Sequence, residues 1–444
     1  MRRDIKRLGG KGQKLWKKAK TLIPGGNQLL SKRAEMFLPD NWPAYYSKAK
    51  GVHVWDLDGR KYLDMSIMGI GACMLGYADP DVNAAVSRAV KRGTMATLNA
   101  PEEVELAELL CEIHPWAEMV RYARAGGEAM AIAARIARAS TGRDVIAFCG
   151  YHGWADWYLA TNLKDSKGLN DHLLAGLEAK GVPQGLRGSI LPFRYNHVEE
   201  LESIIEDNKG KVAAIIMEPL HGTEPTRGFL EKVRAIADDA GAVLIFDEIT
   251  MGFRLTGGGA HLLYGIDPDM AIFSKGISNG YPMAAIIGRR NIMQAAQDTF
   301  ISSTYWTERI GPTAALATIK KLRAKNASKH MKEIGEAVRE IWSELGEKHG
   351  VDLEIAGLPV LSVLKFLGKD GQALRTLYTQ EMLVRGILAS HLFYPSLAHT
   401  KAHVATYLNA ADDAFAVLAD AVQKDDVLTR LKGPVAHTGF QRLN

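Results

Sequence analysis

Two residues of this 444-residue chain have the type and spacing for covalent chemistry, Lys275 and Asp247. Lys275 follows the apolar run Met270-Ala271-Ile272-Phe273, and Asp247 closes the apolar run Ala242-Val243-Leu244-Ile245-Phe246. An amine at the end of a buried strand is partly desolvated, which lowers its pKa and makes it a better nucleophile. An acid at the end of the preceding strand can hold a heterocyclic nitrogen in its protonated form. The pair points to a flat cofactor held between an amine and a carboxylate. Either residue alone also fits a blander role, a surface lysine or a turn-capping Asp; the pairing argues for chemistry.

Further segments fit the same picture. Gly126-Gly127, in Ala125-Gly126-Gly127-Glu128-Ala129, opens an expected helix. Bare backbone N–H groups at a helix start, together with the helix dipole, suit a phosphate. Tyr151, in Gly150-Tyr151-His152-Gly153-Trp154, follows an apolar strand and can stack on a planar ring. His152 has no metal-ligating neighbour at the required spacing. Trp154 and Trp157 either line a substrate cavity or pack beneath a loop. Ser302-Ser303-Thr304 supplies hydroxyls for an anion or for a helix cap. An amine, an acid, a phosphate seat and an aromatic cover are the requirements of pyridoxal phosphate (PLP).

These residues need a scaffold that brings strand ends together. From about 120 to 290, short apolar strands (120–123, 145–148, 212–217, 242–247, 270–273) alternate with helical stretches (128–140, 228–240). Such alternation predicts an α/β fold with a mostly parallel sheet and helices on both faces, its ligands at the carboxyl ends of the strands. Residues 52–64 read as a hairpin turning at Asp58-Gly59, and Pro101 to Ile113 as a helix. The polar, glycine-punctuated stretch 161–190 reads as a lid-like loop. One long helix is expected from Thr313 towards 345, followed by a smaller domain of short strands and helices. The expected boundaries are an N-terminal segment 1–75 packing with the small domain, a large cofactor-binding domain 76–325, and a small domain 326–444.

Composition excludes other classes. Hydrophobic content of 47% and charged content of 24% are ordinary for a globular protein. No apolar run approaches the roughly 20 residues of a membrane span. The net charge of +5 resides in the first 20 residues, where nine basic side chains face one acid; that segment carries +8 and leaves −3 for the remainder. The body is therefore not a nucleic-acid surface, and the leading segment reads as a solvated helix or tail. Three scattered cysteines without CxxC spacing argue against structural zinc and a disulfide framework, and fit a reducing cytoplasm.

Taken together, the segments resemble the class III PLP-dependent aminotransferases, in particular enzymes of the glutamate-1-semialdehyde 2,1-aminomutase type. The likeness spans roughly residues 20–330. It rests on Asp56-x-Asp58-Gly59, Pro101-x-x-Val104-Glu105-Leu106-Ala107-Glu108, Gly126-x-Glu128-Ala129, Tyr151-His152-Gly153, Glu218-Pro219, Asp247-Glu248-x-x-x-Gly252-Phe253-Arg254 and Ser274-Lys275. The resemblance implies a fold-type-I PLP transferase with a seven-stranded type of sheet plus a smaller α+β domain. It implies that Lys275 carries PLP as a Schiff base and moves the proton, and that Asp247 pairs with the ring nitrogen. Ile249 and Tyr151 cover the two ring faces, Gly126 and Gly127 hold the phosphate, and His152 and Glu218 belong to the cofactor site. Thr304 reaches the phosphate of a neighbouring subunit, so the active unit is a homodimer with shared sites.

Departures from the family pattern bear on substrate. The family's Ser-Gly-Thr phosphate loop is Ala125-Gly126-Gly127, and Thr223 stands where ornithine- and GABA-type enzymes carry a Glu. In the aminomutase an Arg of the N-terminal segment binds the substrate carboxylate; here that segment is Gly25-Gly26-Asn27-Gln28-Leu29-Leu30-Ser31-Lys32-Arg33, where Arg33 or Lys32 is the candidate for that role and Gln28 and Ser31 suggest a hydroxyl-rich substrate. Thr304-Tyr305-Trp306-Thr307-Glu308-Arg309 replaces a small-residue turn. The expected activity is transfer of an amino group from an amino-acid donor to a ketone or aldehyde on a polar, sugar-like biosynthetic intermediate. The alternatives are the intramolecular aminomutase and a non-catalytic PLP-fold binding protein. No metal, nucleic acid or membrane is expected.

Overall fold

The computed structural model describes residues 9–172, 177–220, 222–439 and 443. The chain forms two compact units. One combines residues up to Asp79 with those from Lys329 onward, and the other comprises residues 80–328.

The unit built from both chain ends opens with a helix, Lys11–Leu22. Its lysines 11, 14, 17 and 18 are exposed while Trp16 and Ala19 are buried, so this part of the basic segment is a solvated helix with one apolar stripe. Residues 1–8 lie outside the described residues. Strands β1 (Tyr46–Lys50), β2 (His53–Asp56) and β3 (Lys61–Asp64) pair antiparallel in sequence order. The β2–β3 hairpin is the one expected, and Gly59 takes the left-handed conformation (φ 79°) that its turn requires.

The unit spanning 80–328 is organised on a seven-stranded sheet. Its strands are β4 (Met119–Ala123), β5 (Val145–Cys149), β6 (Ile190–Pro192), β7 (Val212–Met217), β8 (Val243–Asp247), β9 (Met270–Phe273) and β10 (Ala284–Gly288). Their order across the sheet is β4-β10-β9-β8-β7-β5-β6. The pairings are parallel except for β10, which runs antiparallel to both neighbours. The central strands are apolar throughout because helices cover both faces. Ile146, Phe148, Ile216, Ile245 and Ile272 pack with the helix Gly126–Thr141 on one face. Ala147, Ile215, Met217, Leu244 and Phe246 pack with the helix Phe229–Ala240 on the other. This alternation along each strand is the pleat's two-residue period.

Two expectations are corrected. The helix expected from Thr313 towards 345 is two helices, Ile310–Ala324 and Ala327–His349. Asn326 adopts φ 45° between them, a conformation that Asn tolerates and that ends a helix. The stretch 161–190 is not wholly loop: it contains the helical turn Thr161–Lys164 and leads into β6 at the sheet edge. The strand β10, whose Ala-Ala-Ile-Ile-Gly run lies outside the strand reading above, completes the sheet. In the first unit the return of the chain adds β11 (Leu353–Leu358), β12 (Leu361–Phe366), β13 (Ile387–Leu388) and β14 (Leu392–Phe393). The strand β13 pairs parallel with β3, and β11-β12-β14 form a separate small sheet. No described helix is long and apolar enough to cross a membrane.

Ile245 is fully buried in the middle of β8, directly behind Asp247. Ile245→Ala is expected to cost about 2–5 kcal/mol through lost burial and a residual cavity. Urea denaturation followed by tryptophan fluorescence should show an earlier transition; an unchanged midpoint would contradict this placement of the core.

Candidate active site

Four parallel strands, β5, β7, β8 and β9, end at one edge of the sheet, and the candidate residues emerge there. Asp247 is the last residue of β8 and pairs with Ile272 of β9. Three residues further on is Lys275, whose backbone is held at φ 47°. A lysine in the left-handed region costs of order 1 kcal/mol or more, and such strain concentrates at functional sites.

The Lys275 amine donates to Thr250 Oγ1 at 2.7 Å. Its pKa lies below the ordinary lysine value; burial is the main cause, opposed by the negative charges of Asp247 and Glu218 and aided by the positive charge of Arg254. Thr250 is a site residue the sequence reading did not single out, although it stands only three positions after Asp247.

Asp247 is 4% exposed. Its Oδ1 accepts from the Ile249 amide at 2.9 Å and its Oδ2 faces His152 Nδ1 at 2.8 Å. The other ring nitrogen, His152 Nε2, lies 2.9 Å from the Cys149 carbonyl. A carbonyl can only accept, so Nε2 donates to it, which leaves Nδ1 to meet the Asp247 carboxyl. Burial raises the Asp247 pKa, and the His152 hydrogen bond opposes that rise. The buried imidazole thus gives the carboxylate a partner that favours its ionised form.

Gly126 and Gly127 open the 16-residue helix Gly126–Thr141. Glu128 reaches back, its Oε2 accepting from the amides of Arg124 (3.0 Å) and Ala125 (3.1 Å). Ala125 has no side-chain oxygen to cap the first turn, so the first-turn amides are left for an external anion. Both glycines are closely approached by side chains. A Cβ at Gly126 would lie 2.8 Å from Ile249 Cδ1, and one at Gly127 would lie 3.0 Å from Cδ1 and Nε1 of Trp154. Tyr151 is 42% exposed and makes an edge contact with Tyr158, leaving ring surface free for stacking. Glu218 follows β7 and stands against Gly150, where a Cβ would come within 2.6 Å of its Oε2.

Arrangement of the remaining candidates differs. Thr304 is exposed at the start of a single 3-10 turn, Thr304–Thr307. Arginines pin the carbonyls around that turn: Arg121 holds Ile301, Arg135 holds Phe300, and Arg124 holds Trp306 and Glu308. The charges of this segment are internally paired, Glu308 with Arg124 at 2.8 Å and Arg309 with Glu102 at 2.6 Å. Thr223 is exposed in the segment after β7. Gln28 and Arg33 belong to the other compact unit; there Gln28 is exposed and the Arg33 guanidinium fills the space beside Gly25. The cradle at Gly126–Gly127, the ionisable acid at Asp247 and the partly buried amine at Lys275 fit the phosphate, ring nitrogen and aldehyde of PLP.

A lowered pKa leaves more of the Lys275 amine uncharged near neutral pH than for an ordinary lysine. Pulse acetylation of the cofactor-free protein across pH 6–11, read by mass spectrometry, should place the Lys275 midpoint below the usual value near 10.4. In Asp247→Asn, loss of the carboxylate charge removes a pKa-raising influence, so the midpoint should fall further. A wild-type midpoint at or above the ordinary value would contradict the enclosure described.

The model of the aminotransferase class-III family matches residues 38–415 of this chain. The 3-aminobutyryl-CoA aminotransferase of Cloacimonas acidaminovorans is 32% identical over 415 residues, covering 90% of this chain and 96% of that protein. A glutamate-1-semialdehyde 2,1-aminomutase of Roseiflexus castenholzii is 32% identical over 440 residues, covering 93% and 99%. Among solved structures, the PLP internal aldimine form of the FumI protein of Sphingopyxis sp. MTA144 superposes with a TM-score of 0.84 at 26% identity, covering 95% of this chain and 99% of that one. The expected fold type I and the expected cofactor are both upheld. The chain belongs to the class III aminotransferases and is a PLP-dependent aminotransferase.

Proposed function

We propose that this enzyme performs intermolecular transamination, moving an amino group from an amino-acid donor to a ketone or aldehyde on a polar, sugar-like biosynthetic intermediate. The observation that carries the reading is the enclosed Lys275 amine beside the buried Asp247–His152 pair at the ends of adjacent strands. When bound, PLP supplies the aldehyde that takes up the amino group and the ring that accepts electrons.

In this reading Lys275 Nζ would hold the cofactor, and the same amine would take and return the substrate proton. Thr250 orients the amine through its hydroxyl. Asp247 holds the proton on the ring nitrogen, and its hydrogen bond to His152 favours the ionised carboxylate. Ile249 and Tyr151 exclude water from the two ring faces. The amides of Gly126 and Gly127 bind the phosphate, and Glu218 adds negative charge near Lys275 and Asp247. Thr304, exposed on its own subunit, serves the phosphate site of a second copy in a cytoplasmic homodimer. Trp154 and Thr223 are assigned to the surroundings of the substrate.

The bulky, ion-paired segment Thr304–Arg309 supports transfer between molecules rather than within one, because it stands where the aminomutase type carries a small-residue turn. The second reading, an intramolecular aminomutase, is favoured by the 32% identity to the Roseiflexus enzyme over nearly all of both chains. A single-turnover experiment separates them. With an excess of amino-acid donor, PLP should convert to pyridoxamine phosphate with release of one equivalent of keto acid; neither conversion nor released keto acid with such donors would favour the mutase. Lys275→Ala should lower turnover at least about a hundredfold and remove borohydride-trappable cofactor. Normal turnover in that variant would sink both readings.

A further inference from the structure

The phosphate seat of this chain lacks side-chain hydroxyls at Ala125 and Gly127, yet its space is not empty. Trp154 lies against the start of the helix Gly126–Thr141, and the pyrrole edge of its indole is 3.0 Å, at both Cδ1 and Nε1, from where a Gly127 Cβ would be. A side chain at position 127 would press on the indole edge. The approach is built from both sides. Gly153, immediately before Trp154, has φ 104°, and a Cβ there would lie 3.0 Å from Gly127 Cα. Two glycines therefore let the Tyr151–Trp154 segment run against the first helical turn.

The Trp154 N–H has no hydrogen-bond partner among the described residues, and the residue is 71% exposed, so it does not serve as core packing. An indole N–H can only donate. The indole edge stands against Gly127 in the first turn of the helix, whose free amides are donors as well, near the positive end of the helix dipole. Glu128 accepts from the upstream amides of Arg124 and Ala125; the first-turn amides and the indole N–H remain as donors that suit an anion.

We propose that the Trp154 indole N–H is a phosphate donor of the cofactor site, replacing a hydroxyl that Gly127 cannot provide. The assignment rests on the reading above that the PLP phosphate lies at Gly126–Gly127. It moves Trp154 from the surroundings of the substrate to the phosphate. A donor of this kind strengthens binding of PLP but not of pyridoxal, which has the same ring and aldehyde and no phosphate.

The test compares the apparent dissociation constants of PLP and pyridoxal for cofactor-free protein, measured by absorbance titration. Trp154→Phe keeps an aromatic ring and removes the N–H. It is expected to weaken PLP about ten- to a hundredfold, as for a hydrogen bond to a charged group, while pyridoxal changes less than about twofold. Gly126→Ala is the control for the seat itself, since its Cβ would meet Ile249. If Gly126→Ala changes the PLP-to-pyridoxal ratio and Trp154→Phe does not, the Trp154 assignment is overturned and the seat stands. If neither changes the ratio, the phosphate lies elsewhere and the underlying reading fails. Equal weakening of PLP and pyridoxal by Trp154→Phe would make the indole a packing group and likewise overturn the proposal.

Discussion

The hydrogen bond between Asp247 and His152 is the interaction on which the cofactor site depends. A carboxyl group buried at the end of a central strand would by itself retain its proton and be unable to hold a protonated ring nitrogen. His152 opposes that tendency, because its far nitrogen is committed to the Cys149 carbonyl, leaving the near one for Asp247. Breaking such a buried pair by removing one partner is generally strongly destabilising. The strands supply the geometry: β5 ends just before His152, β8 ends in Asp247, and β9 ends just before Lys275. Parallel pairing brings all three strand ends to one edge.

Around that pair the site is organised by close approach. Gly126, Gly127, Gly150 and Gly153 each stand where a side chain would collide with Ile249, Trp154, Glu218 or another glycine. The helix start is thereby brought within reach of the turn after β8 and of the segment after β5. Glu128 satisfies two amides upstream of the helix and leaves the first turn to a ligand. Preorganised donors of this kind need little rearrangement when an anion arrives.

The segment carrying Thr304 illustrates a different economy of charge. In the sequence it stands out as a bulky, charged replacement of a small-residue turn. In the structure Glu308 and Arg309 are held by Arg124 and Glu102, and three arginines fix the neighbouring carbonyls. The segment presents hydroxyls and aromatic surface at its exposed face and keeps its charges inside the same unit. Neither chain position nor residue type distinguishes a charge offered to solvent from one already paired.

Much of the scaffold was legible in the order of residues. Continuous apolar runs ending in Asp247 and before Lys275 mark strands buried on both faces, because only such strands tolerate apolar side chains at every position. The hairpin at Asp58-Gly59, the helix from Pro101 and the Gly-Gly helix start were legible for local reasons of turn geometry and helix termini. Other features depend on atoms far apart in the chain. The His152–Asp247 pair joins residues 95 apart, and the hydroxyl of Thr250 meets an amine 25 residues away. The break at Asn326 turns on a single left-handed residue within a stretch of uniform helical composition. The sequence by itself determined the strands, the helix starts and the residue types able to hold PLP, since propensity and periodicity are local properties. Tertiary structure alone decided which nitrogen of His152 faces Asp247, which charges are paired, and that Trp154 fills the space beside Gly127, because each follows from distances set only when the sheet is assembled.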